Sequence, residues 1–556
     1  MRTSAVRNRL RLAARGWTAT GTLPIAMGLL FLAMECCRYW YLFRLADDSK
    51  LVQWVPDDAF YYLILGRNFA LLHWWTFDGV APATGFHLVW GYMMALIYWL
   101  IPNITLHQIF TLFYFMVALL MAVSLSLMCV TARRLFGPFS VLGPIAVFST
   151  SLAVQLPNFL MESGLVVFSS CLAVWVVFGE EKPPTSPALA VAFGVGVLGM
   201  LSRSDFGLLP FVMLAVCLAA YRRIQAPPVR IAGCVLAGSM VGLVLVLGHT
   251  YLSSGHLAQS SAIVKLRWAS MDNAYASSRK DLNWNDSVHS AFAAVTPLIG
   301  GLDSGLRLAL YPWARLRATE VAGGAFLLMA IGGAALLRLR RRPAIAIVCA
   351  MAVVVIGYIA LYGHDGAVQS WYFASYLVPY SVVAASAFAI PGNAWRAVST
   401  VAFAVVLWRA SPVRKAVTPI WPQQIGVYQA GLYLRHHPEL KPVGAWNAGI
   451  DSYTAEGGVI DLDGLVNDDA AQYVRSNSLK EYLAVRHIDR VIDDSIMWDS
   501  DLTRARGGYA GDVLTRCIDS EIKLWQVPKP WRVALVGDHF LLTTLDPACV
   551  SGADDR

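Results

Sequence analysis

Apolar runs of roughly 20 residues, separated by short polar stretches, recur from the N-terminus to about residue 410. Coiled as helix, a run of that length matches the ~30 Å hydrocarbon core of a bilayer. The pattern therefore predicts an all-α polytopic membrane domain over 1–410, with spans at 20–43, 104–130, 139–156, 163–179, 188–203, 206–221, 229–252, 321–338, 343–362, 371–391 and 395–410. One apolar segment stands apart. "GFHLVWGYMMALIYWLIP" (85–102) has an apolar core of about 16 residues, short for a crossing. From 411 the pattern changes. "KPVGAWNAG", "GGVIDLDGLVND", "RHIDRVIDD" and "RVALVGDHFLLTTLD" alternate short apolar runs with turns, and "SLKEYLAVRHID" reads as a helix running into a strand. Residues 411–556 are predicted to form a small mixed α/β domain.

Composition agrees with the pattern. Of the 556 residues 57% are hydrophobic and 14% charged, and the mean hydropathy is +0.53; a soluble domain carries roughly 25% charged residues. The formal charge of +8 is no nucleic-acid signature, because the basic residues sit in short loops between apolar runs. Arg2, Arg7, Arg9, Arg11 and Arg15, "ARRLFG" (132–137), "YRRIQ" (221–225) and "RLRRRP" (338–343) mark cytoplasmic segments. They all fall on one side only if 85–102 lies in the interface or re-enters, which gives about eleven spans. The alternative is a true crossing that violates the charge rule. In the first arrangement 44–103, 157–162, 253–320 and 411–556 face outward. Seven cysteines, Cys36 to Cys349, lie in apolar segments. Cys517 and Cys549 lie in the polar region, where an oxidising compartment allows a disulfide but does not require one. No fixed-period repeat or low-complexity tract is visible.

"VPDDAFYYLILGRNFALLHWW" (55–75) places two bare carboxylates, Asp57 and Asp58, just past the first apolar run. Proline followed by acids is a good helix start, so capping is the plain reading. The aromatic stretch behind them suits a helix lying in the membrane interface. Adjacent carboxylates raise each other's pKa, and a carboxylate so tuned is a better proton acceptor. Arg67 lies nine residues along, about 13 Å away and on another face, so it serves a lipid phosphate or a carboxylate elsewhere, or snorkels.

"DDAFYYLILGRNFA" followed by "FDGVAPATGFHLVWGYM" resembles the GT-C glycosyltransferases, more narrowly the bacterial membrane transferases related to arabinofuranosyltransferases and, distantly, protein O-mannosyltransferases. "NFLMESGL" (158–165) resembles their external acidic turn, and "GAWNAGIDSYTAEGGVIDLDGLVND" (444–468) a segment of their external domain. Asp461, where relatives carry asparagine, and the missing proline after His87 depart from the pattern.

The resemblance implies an integral glycosyltransferase of the cell membrane. It would move a hexosyl or pentosyl unit from a polyprenyl-phosphate carrier to a glycan, lipid or protein hydroxyl on the extracytoplasmic face, with inversion. It implies Asp57 as base with Asp58 as orienting neighbour, in an order that could be reversed. Glu162, Arg67, His87, Lys265, Arg267, Trp371 and Tyr372 are the candidate substrate contacts. Metal use stays open: Asp57, Asp58 and Glu162 could hold Mg²⁺ or Mn²⁺. Trp446, Asn447, Asp463 and Asn467 read equally as an acceptor groove or as turn residues. The competing reading is a multi-pass transporter or flippase for lipid-linked sugars. That reading calls for ionisable residues deep in several spans, and Glu35 is the clearest.

Overall fold

A computed structural model describes residues 22–178, 184–221, 226–265, 342–362, 370–388, 417–476, 478–499, 517–526 and 539–551. Among these residues four helices are long and apolar enough to cross a membrane: Thr22–Leu42, Leu106–Phe136, Ser204–Tyr221 and Pro227–Ser254. The helices Ser163–Phe178, Ser186–Ser202 and Arg342–Tyr362 fall on three further expected spans. The expected spans 321–338 and 395–410 lie outside the described residues.

Two expected spans are not continuous helices. Over 139–156 the chain bends by 58° between Pro138–Phe148 and Leu152–Asn158, a pair that makes a fifth crossing if counted as one. The break falls on Ser149, Thr150 and Ser151, where Thr150 is extended and turns its hydroxyl back onto the Val147 carbonyl at 2.7 Å. Side-chain bonding of this kind competes with the helix ladder. Over 371–391 a 3₁₀ turn, Ser370–Tyr376, precedes a helix of only Leu377–Phe388. Pro379 has no N–H to donate and suits the first turn, which fixes the α-helical start nearby.

The intramembrane acid Glu35 is paired locally. Arg38 donates to it at 3.2 Å and to the Val154 carbonyl at 2.7 Å, and the Tyr114 hydroxyl donates to it at 2.6 Å. This pair ties the first span to the bent one. The helices Ser186–Ser202 and Pro227–Ser254 pack closely through Gly196 and Gly238, where a methyl group would run into the facing backbone.

The first loop contains a short helix, Asp48–Leu51, and two longer ones, Asp57–Leu72 and Leu88–Leu100, that pack on each other. The second of the longer two has 13 residues, about 20 Å of helix. In the first of them, residues 59–66 are all buried, and only the C-terminal end is exposed. An all-round apolar helix is a buried one, and here the helix Leu88–Leu100 and the helix Gly449–Thr454 of the C-terminal domain pack on it.

That domain is α/β. Its sheet has the order β2-β1-β3-β5-β4, with β1 Val443–Ala445, β2 Val459–Asp461, β3 Arg490–Asp494, β4 Ile518–Gln526 and β5 His539–Leu545. β1 runs parallel to β2 and β3, while β5 is antiparallel to β3 and β4. The helix Gly449–Thr454 joins β1 to β2. A Cys517–Cys549 disulfide links the start of β4 to the C-terminal helix Pro547–Ser551.

Candidate functional site

The C-terminal domain is stitched to the first loop. The Asp57 carboxylate accepts from the backbone N–H groups of Gly449 (3.1 Å) and Ile450 (2.7 Å), the start of the helix Gly449–Thr454. The Thr84 N–H and hydroxyl donate to Asp468 at 3.0 and 2.9 Å. Asn467 donates to Asp78 at 3.3 Å, and the Ser260 hydroxyl to the Leu465 carbonyl at 3.0 Å. At Gly85 the Leu465 carbonyl lies where any Cβ would stand, so only glycine lets the two chains approach. Gln424, its amide oriented to satisfy both ends, donates to the Val52 and Val55 carbonyls and accepts from the Asp57 N–H.

This docking walls a cavity of about 320 Å³ between the loop, the membrane helices and the segment 465–466. Asp58 lines it together with Tyr61, Tyr62, His87, Glu162, Arg203, Asp205, Lys265, Trp371 and Tyr372. Most residues singled out in the sequence thus come together. Arg67 does not: its guanidinium sits over the Tyr453 ring, 5.9 Å from the centroid, on the far side of its helix. Arg267 lies outside the described residues.

The two aspartates have separate surroundings. Successive helical residues point about 100° apart, so Asp57 faces the helix of the C-terminal domain while Asp58 faces the cavity. Burial lifts the Asp57 carboxyl to about 8, against the two backbone N–H donors that favour its charged form. Burial also raises Asp58; the Lys265 ammonium opposes that rise and Glu162 adds to it.

Glu162 is 1% exposed. It accepts from the Tyr62 hydroxyl at 3.0 Å and lies 3.5 Å from His87 Nε2 and 3.9 Å from Arg203. Burial pushes the His87 imidazole down, favouring its neutral form. Arg203, 2% exposed, forks onto Asp205 at 2.9 and 2.6 Å and donates to Ser375 and the Trp371 and Tyr372 carbonyls. It is a fixed cation in the wall. The Lys265 ammonium lies over the Tyr372 ring, 4.5 Å from its centroid.

The expected metal set is not assembled. Asp57 is turned onto backbone N–H groups, and Glu162 is held by Tyr62, His87 and Arg203. Among the described residues no cluster of three His, Cys, Asp or Glu side chains could hold an ion. Sequence reading pairs Arg203 with Asp205 but misses the Tyr62 contact to Glu162 and the link from Arg203 to Ser375. The adjacency in "SRSDFG" signalled the pair, but nothing local signalled Ser375.

Asp57→Asn keeps one acceptor atom for the helix start and turns an N–H₂ toward the other N–H. The expected result is faster amide exchange over 449–452, measured by hydrogen–deuterium exchange. The sign of its pH dependence follows from the raised pKa. Stability from a protonated Asp57 is present below the unfolded value of about 3.9 and is lost as pH rises through about 8. Wild type therefore loses melting temperature relative to Asp57→Asn across that window.

The chain shares this architecture, apolar helices long enough to cross a membrane with a small C-terminal α/β domain, with solved structures at low sequence identity. It is similar to ArnT from Cupriavidus metallidurans bound to undecaprenyl phosphate, with a TM-score of 0.51 at 12% identity over 93% of this chain and 97% of that one. It is also similar to the oligosaccharyltransferase of Archaeoglobus fulgidus tethered with an acceptor peptide containing the NVT sequon (TM-score 0.52, 12% identity, 84% of this chain and 69% of that one). The same archaeal enzyme, AglB, in complex with an inhibitory peptide and a dolichol-phosphate matches with a TM-score of 0.52 at 13% identity over 86% and 70% of the two chains. A family model described as a domain of unknown function (DUF8728) matches residues 418–549. No curated protein matches the sequence.

Proposed function

We propose that the protein is an integral membrane glycosyltransferase that takes a sugar from a polyprenyl-phosphate carrier, with Asp58 as the catalytic base. One observation carries the reading: a raised carboxylate shares a cavity with Lys265 and the fixed guanidinium of Arg203. The two charge types answer the two needs of the reaction. The acceptor oxygen attacks the anomeric carbon and its proton passes to Asp58. The bond from that carbon to the phosphate oxygen breaks, and the polyprenyl phosphate departs with the electron pair toward Lys265. A phosphate leaves readily, so no second carboxyl is needed as acid, unlike in glycosidases. A single displacement of this kind inverts the anomeric centre. Arg203 and Tyr62 hold Glu162 in place, and neutral His87 can donate to a phosphate oxygen. The carrier phosphate bound by ArnT and by AglB in the matching structures supports the choice of donor. The N-terminal arginines support a cytoplasmic N-terminus, which sets the cavity and residues 411–556 on the extracytoplasmic side.

Lys265→Met tests the phosphate role. The expected result is a donor KM raised roughly tenfold or more, as for loss of a charge-assisted bond of about 1.5–3 kcal/mol, with Lys265→Arg retaining most of the affinity. An unchanged donor KM in Lys265→Met contradicts the assignment.

A further inference from the structure

The helix that bears Asp58 starts without a side-chain cap of its own. Pro56 stands at its N-cap position, extended at φ −65° and ψ 150°, and makes no side-chain bond to the first turn. The first N–H groups of a helix have no partner within it. Here the Ala59 N–H returns to the Pro56 carbonyl at 3.0 Å. The Asp57 N–H is accepted by the C-terminal domain, through the side-chain oxygen of Gln424 at 3.1 Å.

Gln424 opens the helix Gln424–His436 and is 8% exposed. Its amide nitrogen donates to the Val52 carbonyl at 2.6 Å and to the Val55 carbonyl at 2.9 Å. One side chain thus holds the backbone on both sides of Pro56: the carbonyls that lead in and the first N–H of the helix. The Trp421 N–H adds a bond to the Gln53 carbonyl at 2.9 Å. The grip is returned, because the Asp57 carboxylate accepts from the Gly449 and Ile450 N–H groups. A Cβ at Gly449 would run into the Asp57 backbone carbonyl, so only glycine allows this approach. The helix Gln424–His436 in turn packs on Gly449–Thr454 through Gly431, where a methyl group would come within 2.8 Å of Asp451 and Thr454. One turn along the Asp58 helix, Tyr453 meets Phe60 edge to face with centroids 5.4 Å apart. Two helices of the C-terminal domain therefore clamp the first turn of Asp57–Leu72.

We propose that the C-terminal domain is the positioning element for Asp58, with Gln424 as the cap that the Asp57–Leu72 helix lacks. The backbone N–H and the carboxylate of Asp57 are both held by the domain. The direction of the next residue, about 100° further round the helix, is set by that grip. Asp58 then has only its own side-chain rotation left with which to reach the cavity. Helix ends fray, and a displacement of about 1 Å at a reacting group costs roughly a hundredfold in rate. Gln424 is not among the described residues that line the donor cavity, whose cations Lys265 and Arg203 come from other elements. The inference rests on the proposed transferase reading for the chemistry of Asp58, but not for the cap itself.

The test compares Gln424→Met, Gln424→Asn and Leu434→Ala with wild type, each as the full chain in lipid nanodiscs. Methionine keeps the length of the side chain and loses all three of its hydrogen bonds. Asparagine keeps the amide one methylene short. Leu434 is fully buried in the same helix and controls for lost stability alone. Hydrogen–deuterium exchange over 57–60 should quicken in both Gln424 variants. Initial rates are read with polyprenyl-phosphate sugars extracted from a strain lacking the gene as donor, and that strain's envelope glycans as acceptor. In Gln424→Met kcat should fall roughly ten- to a hundredfold with donor KM unchanged, and in Gln424→Asn by less. The acid limb of kcat/KM should move to lower pH. A loosened first turn lets water reach Asp58 and relieves the burial that raises its carboxyl, while Lys265 and Glu162, which face it, stay in place. Leu434→Ala should lower the melting temperature and leave kcat per folded protein and the acid limb as in wild type. Should Gln424→Met not reach the membrane, Gln424→Asn carries the same test. The proposal is overturned if exchange over 57–60 is unchanged, or if kcat and the acid limb stay at wild type despite faster exchange. It is also overturned if donor KM rises in place of a fall in kcat, or if Leu434→Ala gives the same kinetic pattern. No transfer by wild type would retire the transferase reading and the role of Asp58 with it, whereas faster exchange over 57–60 would still assign the cap to Gln424.

Discussion

Asp58→Asn lowers the turnover of sugar transfer roughly 10²–10⁴-fold, the range for removing a positioned general base, and leaves donor affinity intact or improved. The amide keeps the volume and the helix start but cannot take the acceptor's proton. It also removes the carboxylate that competes with the donor phosphate for Lys265. Steady-state kinetics in nanodiscs with a polyprenyl-phosphate sugar give the readout. The pH profile sharpens it. In the proposed mechanism transfer needs ionised Asp58, and burial raises its pKa above the ordinary carboxylate value. The acid limb of kcat/KM therefore lies at higher pH than an exposed aspartate would give, and activity falls as pH drops through it. Asp57→Asn serves as the contrast. Its carboxylate caps a helix rather than facing the donor cavity, so its loss acts through the seating of the C-terminal domain.

Arg203→Ala is the second large effect, on stability rather than on chemistry alone. Removing one partner of a buried ion pair strands the other and typically costs about 3–5 kcal/mol. Here Asp205 would be left 5% exposed in its side chain without its fork, and three further acceptors would lose a donor. The expected result is a fall in melting temperature and in folded yield after membrane extraction. The double variant Arg203→Ala/Asp205→Ala should recover part of the loss, because Asp205 is no longer stranded, and only part, because Glu162 still loses the guanidinium 3.9 Å away. Arg203→Lys should not restore the wild-type value, since an ammonium cannot make the planar fork onto Asp205 while reaching the Trp371 and Tyr372 carbonyls. Recovery equal to wild type in the lysine variant would contradict the structural role assigned to the fork.

Much of this site was legible along the chain, and its limits have a physical cause. Asp57, Asp58, Glu162, His87, Lys265, Trp371 and Tyr372 fall in the segments that the topology turns to one side, and the fold gathers them. Which aspartate faces the cavity could not be read locally. It depends on about 100° of helix rotation and on the amides of Gly449 and Ile450, nearly 400 residues downstream in sequence. Ala59–Leu65 of the helix Asp57–Leu72 is apolar all round. Periodicity marks a buried helix but cannot name what buries it, and here that is the helix Leu88–Leu100 together with the C-terminal domain. Arg67 was kept as a phosphate candidate for its charge, yet it stacks on Tyr453. The bent span over 139–156 hid in an apolar run because hydropathy averages over the Ser149–Ser151 break. The mixed sheet was visible in four of its strands, while β4, whose side chains are mostly exposed, carried no clear apolar signal.

The central claim is that the chain transfers a lipid-linked sugar through Asp58. The most direct test is a strain lacking the gene, complemented with wild type, Asp57→Asn or Asp58→Asn at matched membrane levels. Envelope glycans and polyprenyl-phosphate sugars are then profiled by mass spectrometry. The account predicts that the deletion loses one terminal sugar and accumulates its carrier-linked form, that wild type repairs both, that Asp57→Asn repairs them in part, and that Asp58→Asn repairs neither. Full repair by Asp58→Asn, or a deletion with unchanged glycans and carrier lipids, would contradict it.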